Sequence, residues 1–194
     1  SVRKINYNTL TDGKDNGDSI WIKQGIELYK DDIEIKNYLY YQDLDSEARR
    51  PYRALQITNT DKVSIVGSDI SQEQKLIGDR LDLIHKGNIF GLDNKFLIGS
   101  NVSKMNFKRD TSSGGTGIVT NIYNPISGTH GDLGNNYEVK DREVDVEQIA
   151  IYLEDSLSLS DNLKLILGLR HDTLDVDWNY LQTNDKRSKN HNEF

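Results

Sequence analysis

Ile20, Ile22, Ile26 and Leu28 share one parity while Trp21, Lys23, Glu27 and Tyr29 share the other, which predicts a two-faced β-strand over about 19–29. After Lys30-Asp31-Asp32, room only for a tight turn, Ile33, Ile35, Leu39 and Tyr41 alternate with Glu34, Lys36, Tyr38 and Tyr40. The second segment, about 33–42, therefore completes a hairpin. Ahead of it, Asp12 to Asp18 is dense in turn formers and reads as a polar loop. A long connection follows from about Asp43 into the sixties. A third strand (about 75–90) sets Leu81, Leu83 and Ile89 against Arg80, Asp82, Lys86 and Asn88, and Gly91 to Asn94 turns the chain. In the fourth (about 95–107), Phe96, Ile98 and Val102 alternate with Gly99, Asn101 and Ser103, although Leu97 breaks the rule. Arg109 to Asp141 is the longest gap. The clearest pair closes the pattern: Ile149, Ile151 and Leu153 in a strand over about 143–157, then Leu163, Leu165, Leu167 and Leu169 in one over about 163–178. Beyond His171 the apolar parity shifts to Leu174, Val176 and Trp178, which signals a bulge or emergence from an apolar zone. Asp185 to Phe194 is charged and patternless.

Connections thus alternate short and long, so one edge of an antiparallel meander is trimmed and the other carries large loops. With strands of about 10 residues or more, against a usual length of about 5–6, this is the signature of an outer-membrane barrel. One face of each strand would meet lipid and the other a watery lumen, with Trp21, Tyr29, Phe90 and Trp178 near strand ends where an aromatic girdle belongs. The expected fold is all-β: an antiparallel meander forming part of a transmembrane β-barrel, about six to eight strands of a larger barrel. A soluble β-sandwich also alternates, but strand length and loop asymmetry count against it.

Composition sharpens the picture. Of 194 residues, 35% are hydrophobic, too few for an ordinary soluble core. No apolar run approaches the roughly 20 residues of a membrane helix, and hydropathy averages conceal membrane strands. The net charge of −7 leaves no footprint for nucleic acid, and zero cysteines exclude disulfide, thiol and Cys-ligated metal chemistry.

Glu147-Gln148-Ile149-Ala150-Ile151-Tyr152-Leu153-Glu154-Asp155, followed by Asp161 to Asp172 with its Leu167-Gly168-Leu169-Arg170-His171-Asp172, resembles the closing "Q-x-x-x-Y-x-x-D … L-G-x-R-x-D" hairpin of TonB-dependent siderophore receptors. Ile122 to Gly128 is similar to that family's asparagine-proline, then glycine stretch, and Phe96 to Val102 to its preceding strand, without the usual His ahead of it. The resemblance covers about 75–178 well and 19–44 by pattern. It implies an outer-membrane transporter, not an enzyme, that takes up a ferric siderophore or similar metal chelate at its extracellular mouth. Energy would come from the TonB complex acting through a plug domain. Six strands in this length scale to a barrel of about 22 strands in roughly 700 residues, so the chain is expected to be a fragment. Plug domain and C-terminal barrel strands are expected to lie outside it.

Ligand contacts are expected on the two long loops, at Tyr123 and Asn124, with Arg49 and Arg50, beside Arg53, available to an anionic chelate. For the arginines, a lipopolysaccharide contact or plain solvation is an equal alternative. No catalytic, cofactor or metal site is expected. Asp12 to Asp18 fails the EF-hand spacing, since Lys14 and Lys23 fall where carboxylates are needed. Ser112 to Gly117 lacks the lysine and helix of a phosphate loop, the four histidines are scattered, and the carboxylates Asp172, Asp175 and Asp177 have no accompanying nucleophile. Other readings are a small complete outer-membrane barrel and a soluble all-β binding module.

Overall fold

The structure, a computed structural model, describes residues 13–56, 60–113, 118–126, 128 and 138–193. Its regular elements are all strands: β1 (Lys14–Lys30), β2 (Ile33–Gln56), β3 (Lys62–Ile89), β4 (Leu92–Ser113), β5 (Ile118–Asn121), β6 (Glu138–Ser160), β7 (Leu163–Tyr180) and β8 (Asp185–Glu193). They form one antiparallel meander in the order β1-β2-β3-β4-β6-β7-β8, and β5 pairs with the far end of β3. The sheet is open, with β1 and β8 at its edges.

Two-residue turns join β1 to β2, β3 to β4 and β6 to β7 at one end of the sheet, here the turn end. Phe90 (φ 55°) and Gly91 (φ 82°) both lie in the left-handed region, the geometry of a type I′ hairpin turn. At the opposite, loop end the strands run far beyond any apolar pattern. β3 has 28 residues, about 90 Å of chain. Residues 43–56, expected as connection, are paired strand, as are 14–18, 62–74, 109–113 and 185–193. Outward positions there such as Asp45, Glu47, Asp69 and Glu73 are polar, so hydrophobic period carries little signal and the backbone ladder defines the strand.

Directly opposed residues share a face of the sheet. One face carries Ile20, Ile22, Ile26 and Leu28 of β1; Ile33, Ile35 and Leu39 of β2; Ile77, Leu81 and Leu83 of β3; Phe96, Ile98 and Val102 of β4; Ile149, Ile151 and Leu153 of β6; and Leu163, Leu165, Leu167 and Leu169 of β7. All are exposed; Leu167 retains 63% of its accessible surface and no second layer covers it. The other face is the crowded one, holding Ile84 and Asp82 on β3 and Ala150 on β6, which is 0% exposed.

The band does not cross the strands at right angles. Following the register from Ile20, the top of the band on β1, leads through Asp43, Lys75, Asn106 and Asp145 to Asp177 on β7, yet on β7 the band ends at Leu169, eight residues nearer the turn end. Eight residues are about 26 Å of strand, and five inter-strand spacings about 24 Å. The apolar zone is therefore level only if the strands tilt about 45°, as transmembrane barrel strands do. A soluble sandwich has no reason to impose that stagger.

One open alternative is decided and one expectation is corrected. β7 pairs with β6 and β8 without a register shift across 171–180, so the parity change beyond His171 marks the strand leaving the apolar zone rather than a bulge. Trp21, Tyr29 and Trp178 have inward parity and do not belong to a lipid-facing girdle. The outward aromatics at the band's margins are Tyr41, whose hydroxyl donates to Asp43 (2.8 Å), and Phe96, with Phe90 at the turn below it.

Candidate functional site

Across the apolar band, the inner wall is polar and cross-linked. Arg80 Nε donates to both carboxylate oxygens of Asp82 (3.1 and 3.0 Å), Tyr152 donates its hydroxyl to Asp82, and Arg80 and Arg170 stand 5.4 and 5.8 Å from the Tyr152 ring. Arg170 in turn binds Asp172 (2.6 Å), which also accepts from Gln148 (2.7 Å). The Tyr152 ring lies over Gly99, as Tyr40 lies over Gly78; only glycine leaves room for a ring flat against the strand. Nearer the turns, Glu34 binds Lys36 (3.3 Å) and Lys86, while Tyr29 and Tyr38 both donate to Glu27.

Above the band the polarity of the two faces inverts. Outward residues become ion pairs and polar contacts: Lys104 with Glu147 (2.7 Å), Asn106 with Asp145 (2.8 Å), Arg49 with Asp69 (3.0 Å) and Lys14 with Glu47. The Lys14 ammonium holds the Glu47 carboxyl below the usual carboxylate range. Inward residues become apolar: Leu76, Met105, Val146 and Val176 stand opposite one another across β3, β4, β6 and β7, and Phe107, Val144 and Trp178 form the next row. The row above that is cationic. Arg109 faces Arg142, which faces Tyr180. The register shifts at this point because Asp141 is an extra residue in β6, and its Oδ2 sits 3.5 Å from Arg109 Nε and 3.2 Å from Arg142 Nη2. Arg142 and Arg187 lie 6.0 and 5.5 Å from the Tyr180 ring, and Arg187 binds Asp185 at 2.8 Å.

The anticipated contact residues are not brought together. Tyr123 and Asn124 are exposed just past β5, where Tyr123 N donates to Asn121 Oδ1 (2.8 Å) and Ile122 N to the Asp61 carbonyl (2.9 Å). Arg49 lies lower, on the outward face, against Asp69. Arg50 pairs through its backbone with Ser68, and its side chain lies outside the described part, as do His130 and residues 114–117 and 131–137 of the long β4–β6 segment. Among the described residues, no three His, Asp or Glu side chains converge to hold a metal ion. Sequence reasoning missed Arg109, Arg142 and Trp178 as a group, because only the register makes them neighbours.

A tilted, one-layer antiparallel sheet with an exposed apolar belt on one face and paired charges on the other is part of the wall of a transmembrane β-barrel. Residues 3–194 match the family model described as "TonB dependent receptor-like, beta-barrel". The chain belongs to that family, whose members are transporters and not enzymes. Among solved structures it is similar to the siderophore receptor PiuA of Acinetobacter baumannii (17% identity, TM-score 0.75, 94% of this chain and 29% of that one). It is also similar to the ferric-catecholate import receptor Fiu of E. coli K12 (13% identity, TM-score 0.76, 97% and 30%) and to BauA, the ferric preacinetobactin receptor of A. baumannii (16%, 0.63, 93% and 27%). At these identities the likeness concerns the fold, and the chain spans under a third of each of those proteins. No curated protein sequence matches it significantly.

Proposed function

We propose that the intact protein is an outer-membrane receptor importing ferric siderophores or a similar metal chelate, with this chain as one arc of its barrel. The inversion of polarity along a single set of strands carries the reading. A lipid-facing belt surrounds a charged lumen, and beyond it a wetted outer skirt surrounds an apolar cup crested with arginines. Such a belt suits a bacterial outer membrane, with the two-residue turns on the periplasmic side and the β4–β6 segment at the extracellular mouth. The similar receptors that bind siderophores support the class of cargo.

In this proposal the chelate enters at the loop end, past Tyr123 and Asn124, with Arg50 as a cationic mouth residue. The outward position of Arg49 and its Asp69 partner favour an ion pair of the outer skirt over a chelate contact. Release would follow when the TonB complex acts through a plug domain inside the closed barrel. The test is uptake of radioactive iron from a panel of ferric chelates by cells carrying or lacking the full-length gene. Loss of uptake of at least one chelate on deletion, restored by the gene, is expected. Equal uptake of every chelate by both strains refutes the proposal.

A further inference from the structure

We propose that the Arg109–Arg142 pair and the aromatic wall beneath it form a subsite for an iron chelate that is both anionic and aromatic-ringed. This rests on the receptor reading above and specifies its cargo. Two guanidiniums standing directly opposite across β4 and β6 repel each other, and the bulge supplies one carboxylate, Asp141, between them. Two positive charges against one negative leave a surplus of one on the inner wall of a chain whose net charge is −7. Arg109 Nε is buried and has no hydrogen-bond partner among the described residues. An anionic oxygen would relieve the repulsion and complete that donor together.

The surface below the arginines selects what else the ligand must carry. Phe107, Val144 and Trp178 form one row and Leu76, Met105, Val146 and Val176 the next, uncharged from β3 to β7 and closed on β8 by Arg187 opposite Trp178 and Lys189 opposite Val176. Tyr180, already flanked by Arg142 and Arg187, continues the aromatic surface beside the cations. Arg109 and Arg142 each stand seven residues above the end of the lipid belt on their strands, about 16 Å for a 45° tilt, and so in the wetted mouth. Flat rings gain from such a wall, whereas a small hydrophilic chelate gains only from the arginines.

The experiment uses the full-length receptor in detergent, with affinity followed by fluorescence quenching for three probes. These are ferric tris-catecholate (anionic, aromatic), ferric citrate (anionic, no ring) and a ferric trihydroxamate (no negative charge, aliphatic). Tris-catecholate is expected to bind most tightly. Arg109→Gln with Arg142→Gln should weaken it about tenfold or more without altering any trihydroxamate binding. Trp178→Leu, read by calorimetry, should weaken tris-catecholate and leave citrate unchanged. Heat-modifiable gel mobility establishes that each variant barrel is folded. Tris-catecholate binding unchanged in the double arginine variant, or a trihydroxamate binding tightest, overturns this inference and leaves the receptor reading intact. Failure of every ferric chelate to bind the folded receptor overturns both.

Discussion

Gly99→Ala should destabilise the barrel far more than the loss of a glycine from a strand would suggest. A Cβ at this position would lie 2.5 Å from Cε2 and Cζ of Tyr152 and 2.6 Å from its hydroxyl oxygen. Carbon contacts settle near 3.5–4.0 Å, so the ring must retreat by about 1 Å. It has nowhere to go cheaply, because its hydroxyl is bound to Asp82, only 4% exposed, and Arg80 and Arg170 flank its faces. Losing a hydrogen bond to a charged group costs about 1.5–3 kcal/mol and each cation–π contact about 0.5–1. Alanine's strand preference over glycine returns about 0.5–1. The net loss is about 2–4 kcal/mol. The assay is denaturant unfolding of the full-length receptor folded into lipid vesicles, for Gly99→Ala, Tyr152→Leu and the double variant. With the ring gone the alanine has space, so it should be neutral or slightly stabilising in the Tyr152→Leu background. An equal effect of Gly99→Ala in both backgrounds would refute the steric argument.

Other consequences are as direct. Leu167 and Ile166 are equally exposed, at 63% and 57%, but face opposite ways. Leu167→Arg should cost about 2–4 kcal/mol of stability in vesicles and Ile166→Arg much less, and equal costs would contradict the lipid belt. Ala150→Leu overfills the crowded inner face between Asn101 and Asp172 and should cost about 1–3 kcal/mol in the same unfolding assay. The Glu47 carboxyl, held below its ordinary pKa first by the hydrogen bond from Lys14, contributes stability above the usual carboxylate range and loses it as pH falls through its depressed folded value. Lys14→Met should return its titration midpoint, followed by carbon NMR, toward the ordinary one; an unchanged midpoint would exclude Lys14 as the cause.

What could be read from residue order is whatever the membrane itself dictates. Where lipid meets one face and water the other, as along Ile149 to Leu153 and Leu163 to Leu169, alternation is compulsory, and the hairpin and its fold class are visible in the chain. Beyond the lipid that compulsion ends. Residues 43–56 and 185–193 show no outward apolar period, and only pairing with neighbouring backbones makes them strand. The girdle was misread for a related reason: Trp178 stands near a strand end in sequence, but the continuous register turns it inward, beside Val144 and beneath the arginines. Tertiary structure alone decided that Arg109 and Arg142, 33 positions apart, stand opposite each other with Asp141 pushed between them. Parity along one strand cannot specify which residue of the next it will face; register and bulge do, and they depend on the ladder as a whole.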